Sequence, residues 1–281
     1  MRGYAFAKLY ADLVTPDGGV LVTYLSWVRL GLHERMDAGL ERYLPDGRRE
    51  VLRSPAPPRG FAPEHLALGR TLELPLPDGR LWLRHTPRHA GWQPAGPPAA
   101  PGLDWSVQTT AAAVEVRLEI GGRREELVGT GYADWVHIDR PTRLLGLRRL
   151  RWGRAHLGYA SLVWNALEVG DGSTWLRGLH VDGSGPHPGA PALELEQGEG
   201  RVTLGGTNLM LTDARLLHRG SAFDEARLPS RLERLVCWAF GGPTSEERWL
   251  TRARILGGGP AGFALHEEVL FGPRARRGEG G

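Results

Sequence analysis

Apolar and polar residues alternate along most of this chain in runs of five to twelve, broken by Gly/Pro/Asp turns. Val114–Ile120 (VEVRLEI) is apolar on one face and charged on the other, Gly121-Gly122 turns it, and Glu125–Gly131 returns, which predicts a hairpin. Val20–Leu30 is rich in β-branched and aromatic residues and predicts a strand. Leu32–Tyr43 has a weak helical spacing, but Pro45-Asp46-Gly47 follows at once and Arg48–Leu52 resumes the apolar pattern, so strand, turn, strand is the reading. Pro77-Asp78-Gly79 joins Leu72–Leu76 to Arg80–His85 in the same way. Tyr4–Leu13 opens the series. Leu147–His156, Tyr159–Glu168, Thr174–Val181, Ala192–Glu196, Arg201–Leu204, Leu209–Leu217, Leu232–Phe240, Arg248–Leu256 and Gly262–Phe271 continue it. Only Ala222–Arg231 has any helical pattern. Pro87–Pro101 predicts an irregular segment pinned by Trp92, and PRARRGEGG a disordered tail.

About seventeen strands without a long helix predict an all-β protein. That is too many strands for one sandwich. Two antiparallel β-barrels of about eight strands each account for them, each wide enough for side chains or one small apolar ligand. The expected division is 1–140 and 141–273, with 274–281 as the tail, and the break falls in the loop from Asp139 to Leu145.

One stretch departs from the alternation. From Gly129 to Trp164 the chain reads as a strand, an irregular polar loop, a basic segment and two strands, and it holds three of the ten Trp. Asp134, His137 and Asp139 lie close to Tyr132 and Trp135 there. Carboxylate, imidazole and indole in an irregular segment between strands mark it as the expected site.

Composition narrows the partners. With 35 Lys+Arg against 32 Asp+Glu the net charge is only +3, and Lys8 is the only lysine. The basic cluster Arg143–Arg154 alternates with Leu and Trp as a strand would, so no nucleic-acid surface is expected. The single cysteine, Cys237, excludes an internal disulfide and reads as core. The ten His are scattered, so no metal is expected. No phosphate-binding or dinucleotide glycine pattern opens a helix, and no cofactor is expected. No apolar run reaches the ~20 residues of a membrane helix and the N-terminus lacks a signal pattern, so a cytoplasmic protein is expected. The sequence carries no signal of oligomeric state.

Tyr10-Ala11-Asp12-Leu13, Gly129-Thr130-Gly131-Tyr132-Ala133-Asp134 and Arg151-Trp152-Gly153-Arg154, in this order and spacing, resemble motifs of the carotenoid 1,2-hydratase (hydroxyneurosporene synthase) and AttH-like superfamily. Tyr10-Ala11-Asp12-Leu13 with VLVTYLSW resembles its opening strand pair. Gly129-Thr130-Gly131-Tyr132-Ala133-Asp134 resembles its central Gly-x-Gly-Tyr-His-Asp, and Arg151-Trp152-Gly153-Arg154 its following Trp-Gly-Arg. Ala133 stands where that family has His, Trp135-Val136-His137-Ile138 replaces His-Asn-Trp-Gly, and the first motif lacks its leading Trp.

The resemblance implies two lipocalin-like barrels and cofactor-independent hydration, cyclisation or isomerisation of a hydrophobic isoprenoid-like substrate, carotenoid or terpenoid, begun by protonation of an alkene. Asp134 would be the acid, Tyr132 and a Trp would stabilise the cation, and His137 or Asp139 would relay the proton or activate water. Tyr10, Asp12, Trp27, Trp135, Trp152, Arg154 and Trp164 would bind substrate, with the aromatic members and Tyr132 lining one apolar cavity. Peripheral membrane contact would be the route to such a substrate. Two other readings stay open: Asp134 as a turn-shaping residue or partner of Arg154, and the chain as a non-catalytic carrier of a hydrophobic molecule.

Overall fold

The computed structural model describes residues 4–55, 69–98, 102–221, 244–259 and 261–272. Seventeen strands and one helical turn lie among them. The first unit holds β1 (Tyr4–Val14), β2 (Val20–Leu30), β3 (His33–Tyr43), β4 (Arg49–Arg53), β5 (Thr71–Leu76), β6 (Gly79–Pro87), β7 (Leu103–Ile120) and β8 (Arg123–Ile138). The second begins with a helical turn, α1 (Thr142–Leu145), and continues through β9 (Leu147–Leu157), β10 (Ala160–Val169), β11 (Thr174–Asp182), β12 (Gly185–Gly189), β13 (Ala192–Glu196), β14 (Glu199–Leu204), β15 (Thr207–Gly220), β16 (Thr244–Ile255) and β17 (Ala261–Phe271). The division falls after Asp139. The strand readings for Leu232–Phe240, Cys237 included, the helix reading for Ala222–Arg231 and the tail lie outside the described residues. Among those described, no helix is long and apolar enough to cross a membrane.

Each unit is one curled antiparallel sheet in which the first and last strands pair at the centre. The orders are β4-β3-β2-β1-β8-β7-β6-β5 and β12-β11-β10-β9-β17-β16-β15-β14-β13. This is the all-β, two-barrel architecture that the strand count predicts. The turns explain the hairpins. In Thr15-Pro16-Asp17-Gly18 and Leu44-Pro45-Asp46-Gly47 the proline presets φ, and the glycine amide bonds back to Thr15 and Leu44 at 3.0 Å.

The inner face of the first sheet carries Leu9, Leu13, Leu21, Leu40, Leu72, Leu74, Leu81 and Leu83, all nearly excluded from water. Each leucine so buried contributes about 1.5–3 kcal/mol. At one end Arg42 of β3 grips both carboxylate oxygens of Glu125 of β8, at 2.7 and 2.8 Å. The second sheet buries Ala155, Leu157, Leu162, Trp164, Val202, Leu204, Leu209 and Leu211 in the same way. There Trp249 and His266 stack at 5.5 Å and 22°.

Several segments differ from the sequence reading, among them Leu103–Ala113, which forms the first half of β7 where no strand is predicted. Tyr132–Ile138 is regular strand, paired with β1 (Tyr10↔Asp134, Leu9↔Trp135) and with β7 (Val107↔Asp134). Both faces are covered at Tyr132–Asp134, so the polar/apolar alternation that signals a strand is lost there. Gly185–Gly189 (GPHPG) forms β12 despite two prolines, because an edge strand leaves amide positions that need no partner.

Gly131 lets β1 and β8 close. A Cβ there would lie 2.1 Å from the Asp12 carbonyl oxygen. Gly131→Ala should cost about 1–3 kcal/mol or more, since the obstacle is backbone, read as a lower urea midpoint.

His266 gives the fold a pH dependence. Burial pushes its imidazole down to about 4 from the ordinary 6.5. Between those values the unfolded chain takes up a proton that the folded chain refuses. This contribution is whole above pH 6.5 and is lost as pH falls towards 4. Wild type should therefore lose roughly 2 kcal/mol more than His266→Phe between pH 7 and 4.5, at about 1.4 kcal/mol per pKa unit. Urea unfolding at the two pH values measures it.

Candidate functional site

Strand alternation sorts the first unit's candidates into two groups. Tyr10 and Asp12 lie on the outer face of β1, away from the leucine core, and Tyr132 and Asp134 lie on the same face of β8. All four are buried. Trp27, Trp135 and His137 lie on the inner face, opposite or diagonal to Ala7 and Leu9. Asp134 and Trp135 therefore point in opposite directions, although adjacent in sequence.

Asp134 is the centre of the outer group. Trp105 of β7 donates its indole N–H to Asp134 Oδ2 at 2.9 Å, and the Tyr132 hydroxyl donates to the same oxygen at 3.0 Å. The carboxyl is thus held by two aromatic side chains and is 5% exposed. Tyr10 packs on Tyr132 with ring centroids 6.3 Å apart, and Lys8 Nζ stands 5.9 Å from the Tyr10 ring centroid. Asp12 accepts the Tyr132 backbone N–H at 3.2 Å, where the ladder between β1 and β8 is interrupted. Its carboxylate takes the place of a strand carbonyl and fixes Tyr132 from behind.

The Pro/Gly-rich segment reaches this site. Trp92 exchanges two 2.8 Å backbone hydrogen bonds with Val107, which faces Asp134 in register. Its indole meets the Trp105 ring edge-on at 5.7 Å and 89°. The predicted anchor is therefore present, and it backs the indole that holds Asp134.

The sequence does not single out Trp105, because it predicts no strand between Pro101 and Val114. Its role depends on register with β8, which no local spacing encodes. His137, expected as the proton relay, is separated from Asp134 by the odd-numbered step along the strand. It is part-exposed, with Nδ1 3.9 Å from Asp104. Asp139 and Arg140 follow the end of β8 and are exposed.

The remaining candidates belong to the second unit. Trp152 and Arg154 are buried on the outer face of β9, and Trp164 is buried on the inner face of β10. Within each unit the aromatic candidates divide between two faces of a sheet, Tyr10 and Tyr132 on one and Trp27 and Trp135 on the other in the first, Trp152 and Trp164 on opposite faces in the second. Among the described residues, no group of three His, Cys, Asp or Glu is arranged to hold a metal ion.

The Asp134 cluster makes a specific stability prediction. Trp105→Phe keeps the ring packing and removes the indole donor. It should destabilise the protein by about 0.5–1.5 kcal/mol, the net contribution of one hydrogen bond, because Tyr132 still donates to the same oxygen. An unchanged urea midpoint would show that the indole bond contributes nothing.

Comparison with known proteins gives the fold its relatives. No protein-family model matches the sequence, and no curated protein matches it. Solved structures do match. An AttH-type protein of Nitrosomonas europaea aligns at 17% identity and a TM-score of 0.56, over 94% of this chain and 92% of that one. CghA, crystallised with Sch210972, aligns at 12% identity and 0.62, over 95% and 88%. Kievitone hydratase from Nectria haematococca aligns at 10% and 0.55, over 94% and 88%. At such identities the likeness is one of architecture, and the chain has the two-domain lipocalin-like fold that these structures share.

Proposed function

We propose that this protein is a cofactor-independent hydratase, cyclase or isomerase that acts on a hydrophobic isoprenoid-like molecule by protonating an alkene, with Asp134 as the acid. The observation that carries the reading is the Asp134 carboxyl itself, withdrawn from water and held by an indole N–H and a phenol. Two further supports stand beside it. Kievitone hydratase, by name an enzyme that adds water, has this fold, and Asp134 keeps its place in the resembled central motif.

The chemistry follows from the surroundings. Protonating an isolated alkene needs an acid kept from water, and the buried Asp134 carboxyl is the group that would supply it. The O–H bond of Asp134 breaks as a C–H bond forms, leaving a carboxylate and a carbocation. The rings of Tyr10 and Tyr132 offer electron-rich faces to that cation. In hydration, water adds to the cation and its surplus proton returns to Asp134. In cyclisation, a second double bond attacks, and loss of a proton from carbon restores the acid. Either cycle closes on the same residue. Trp105 and Tyr132 hold the carboxyl in one orientation through both half-reactions.

The test uses heavy water. Purified protein incubated in D2O with a panel of acyclic isoprenoid alkenes should place one deuterium on carbon in the product, read by mass spectrometry. Asp134→Asn keeps the shape and removes the acid, so incorporation should fall by about 10² or more while the melting temperature stays near wild type. Ligands bound without deuterium uptake would mean a carrier instead. An Asp134→Asn variant that turns over like wild type would remove Asp134 from the chemistry.

A further inference from the structure

The second barrel contains a polar feature that the proposed reaction does not use. Four positions lie side by side on its inner wall: Trp249 of β16, His266 of β17, Gly153 of β9 and Trp164 of β10, each directly opposite the next. Gly153 is the gap in the row. A Cβ there would stand 2.3 Å from Trp164 Cζ2 and 2.6 Å from His266 Cβ. The indole of Trp164 therefore leans across Gly153 towards the imidazole, with ring centroids 6.3 Å apart.

Two polar atoms in this row have no hydrogen-bond partner, Trp164 Nε1 and His266 Nε2. Both side chains are buried, at 0% and 2% exposure. Each such atom ordinarily costs about 1–3 kcal/mol unless something satisfies it. Their chemistry is complementary. The indole N–H can only donate. The imidazole is bonded to the backbone of Gly198, a bond that favours its charged form and so is one in which the ring donates. With burial keeping the ring neutral, the remaining nitrogen, Nε2, carries a lone pair and can only accept.

The surrounding wall is graded. Two residues along each strand from the row, in one direction, the inner face carries Arg151 and Glu268, and beyond them Arg149 and Glu168. These are part-exposed and joined by ion pairs, Arg151 lying 3.5 Å from Glu168 and 3.4 Å from Glu268. In the other direction lie Ala155, Leu157, Leu162 and Ala264, which are apolar and fully buried. A charged rim, an aromatic row with one donor and one acceptor, and an apolar floor follow in order along the wall.

We infer that the second barrel holds a binding site of its own, for an uncharged apolar molecule bearing one alcohol or phenol hydroxyl. The hydroxyl oxygen accepts from Trp164 Nε1–H, and its proton is donated to His266 Nε2. A hydroxyl meets both needs with one group. A carbonyl or ether satisfies only the indole, and a carboxylate would meet a neutral imidazole in apolar surroundings. This site is independent of Asp134 and of the proposed reaction.

The experiment compares geraniol with its methyl ether, which has the same chain and can accept but not donate. Calorimetric titration of the full chain at pH 7 should show geraniol binding at least tenfold more tightly, as expected of a site built to pair with a hydroxyl. Trp164→Phe should weaken geraniol and the ether alike by about tenfold, whereas His266→Phe should weaken geraniol by about tenfold and leave the ether unchanged. Asp134→Asn should leave geraniol unchanged. A measurement on wild type needs no variant: the 15N resonance of His266 Nε2 should move on addition of geraniol. Equal affinities for alcohol and ether, no binding of either, or an unmoved Nε2 resonance would overturn the inference. So would geraniol binding lost in Asp134→Asn but retained in both barrel variants, and that outcome would leave the Asp134 reading standing.

Discussion

The pairing of β1 with β8 is the constraint on which the first unit depends. It joins the two ends of that unit's chain at the centre of its sheet and is buried on both faces. On one side Leu9 and Ala11 meet Trp135 and Ala133 and complete the leucine core. On the other, Tyr10 faces Asp134, and Asp12 holds the Tyr132 amide. Packing and candidate chemistry are two sides of one ladder. A register slip of one residue would exchange them, placing Asp134 among leucines. The glycines at 129 and 131, whose added Cβ atoms would each lie 2.1 Å from a β1 carbonyl oxygen, keep that register close.

The two units use the same architecture for different ends. In the first, polar chemistry sits outside the barrel, on a face where a carboxyl is held by an indole and a phenol. In the second, the inner wall carries the polar atoms, and a histidine kept neutral by burial stands in an aromatic row. The first arrangement uses tryptophan for its N–H as much as for its area. Tryptophan suits this because it brings a donor into an apolar layer without bringing a charge.

Much of the fold was legible in the residues. Pro45-Asp46-Gly47 and Pro77-Asp78-Gly79 fixed two hairpins, VEVRLEI showed its faces by alternation, and Trp92 was recognised as an anchor in a proline-rich segment. The failures have physical causes. Tyr132–Ile138 looked irregular because burial on both sides removes the alternation, and β12 was hidden by the prolines an edge strand tolerates. In the candidate cluster, Asp134 and Tyr132 are marked by the resembled motif. Trp105 is not, because its hydrogen bond is made across strands 29 residues apart in sequence. His137 looked close to Asp134 only while that segment was read as a loop. His266 was one of ten scattered histidines, with no spacing to mark its place beside Gly153 and Trp164.

The closure of each sheet by its first and last strands also sets an order in time. During synthesis, β1 leaves the ribosome early with its neighbour β2 close behind. Its other neighbour, β8, follows only after more than a hundred residues. Until then one long edge of β1 is open. The same delay recurs between β9 and β17. Pairing over such separations carries a large loop-closure cost and slows folding. The open edge of β1 is therefore the surface most exposed to wrong partners while the chain is incomplete.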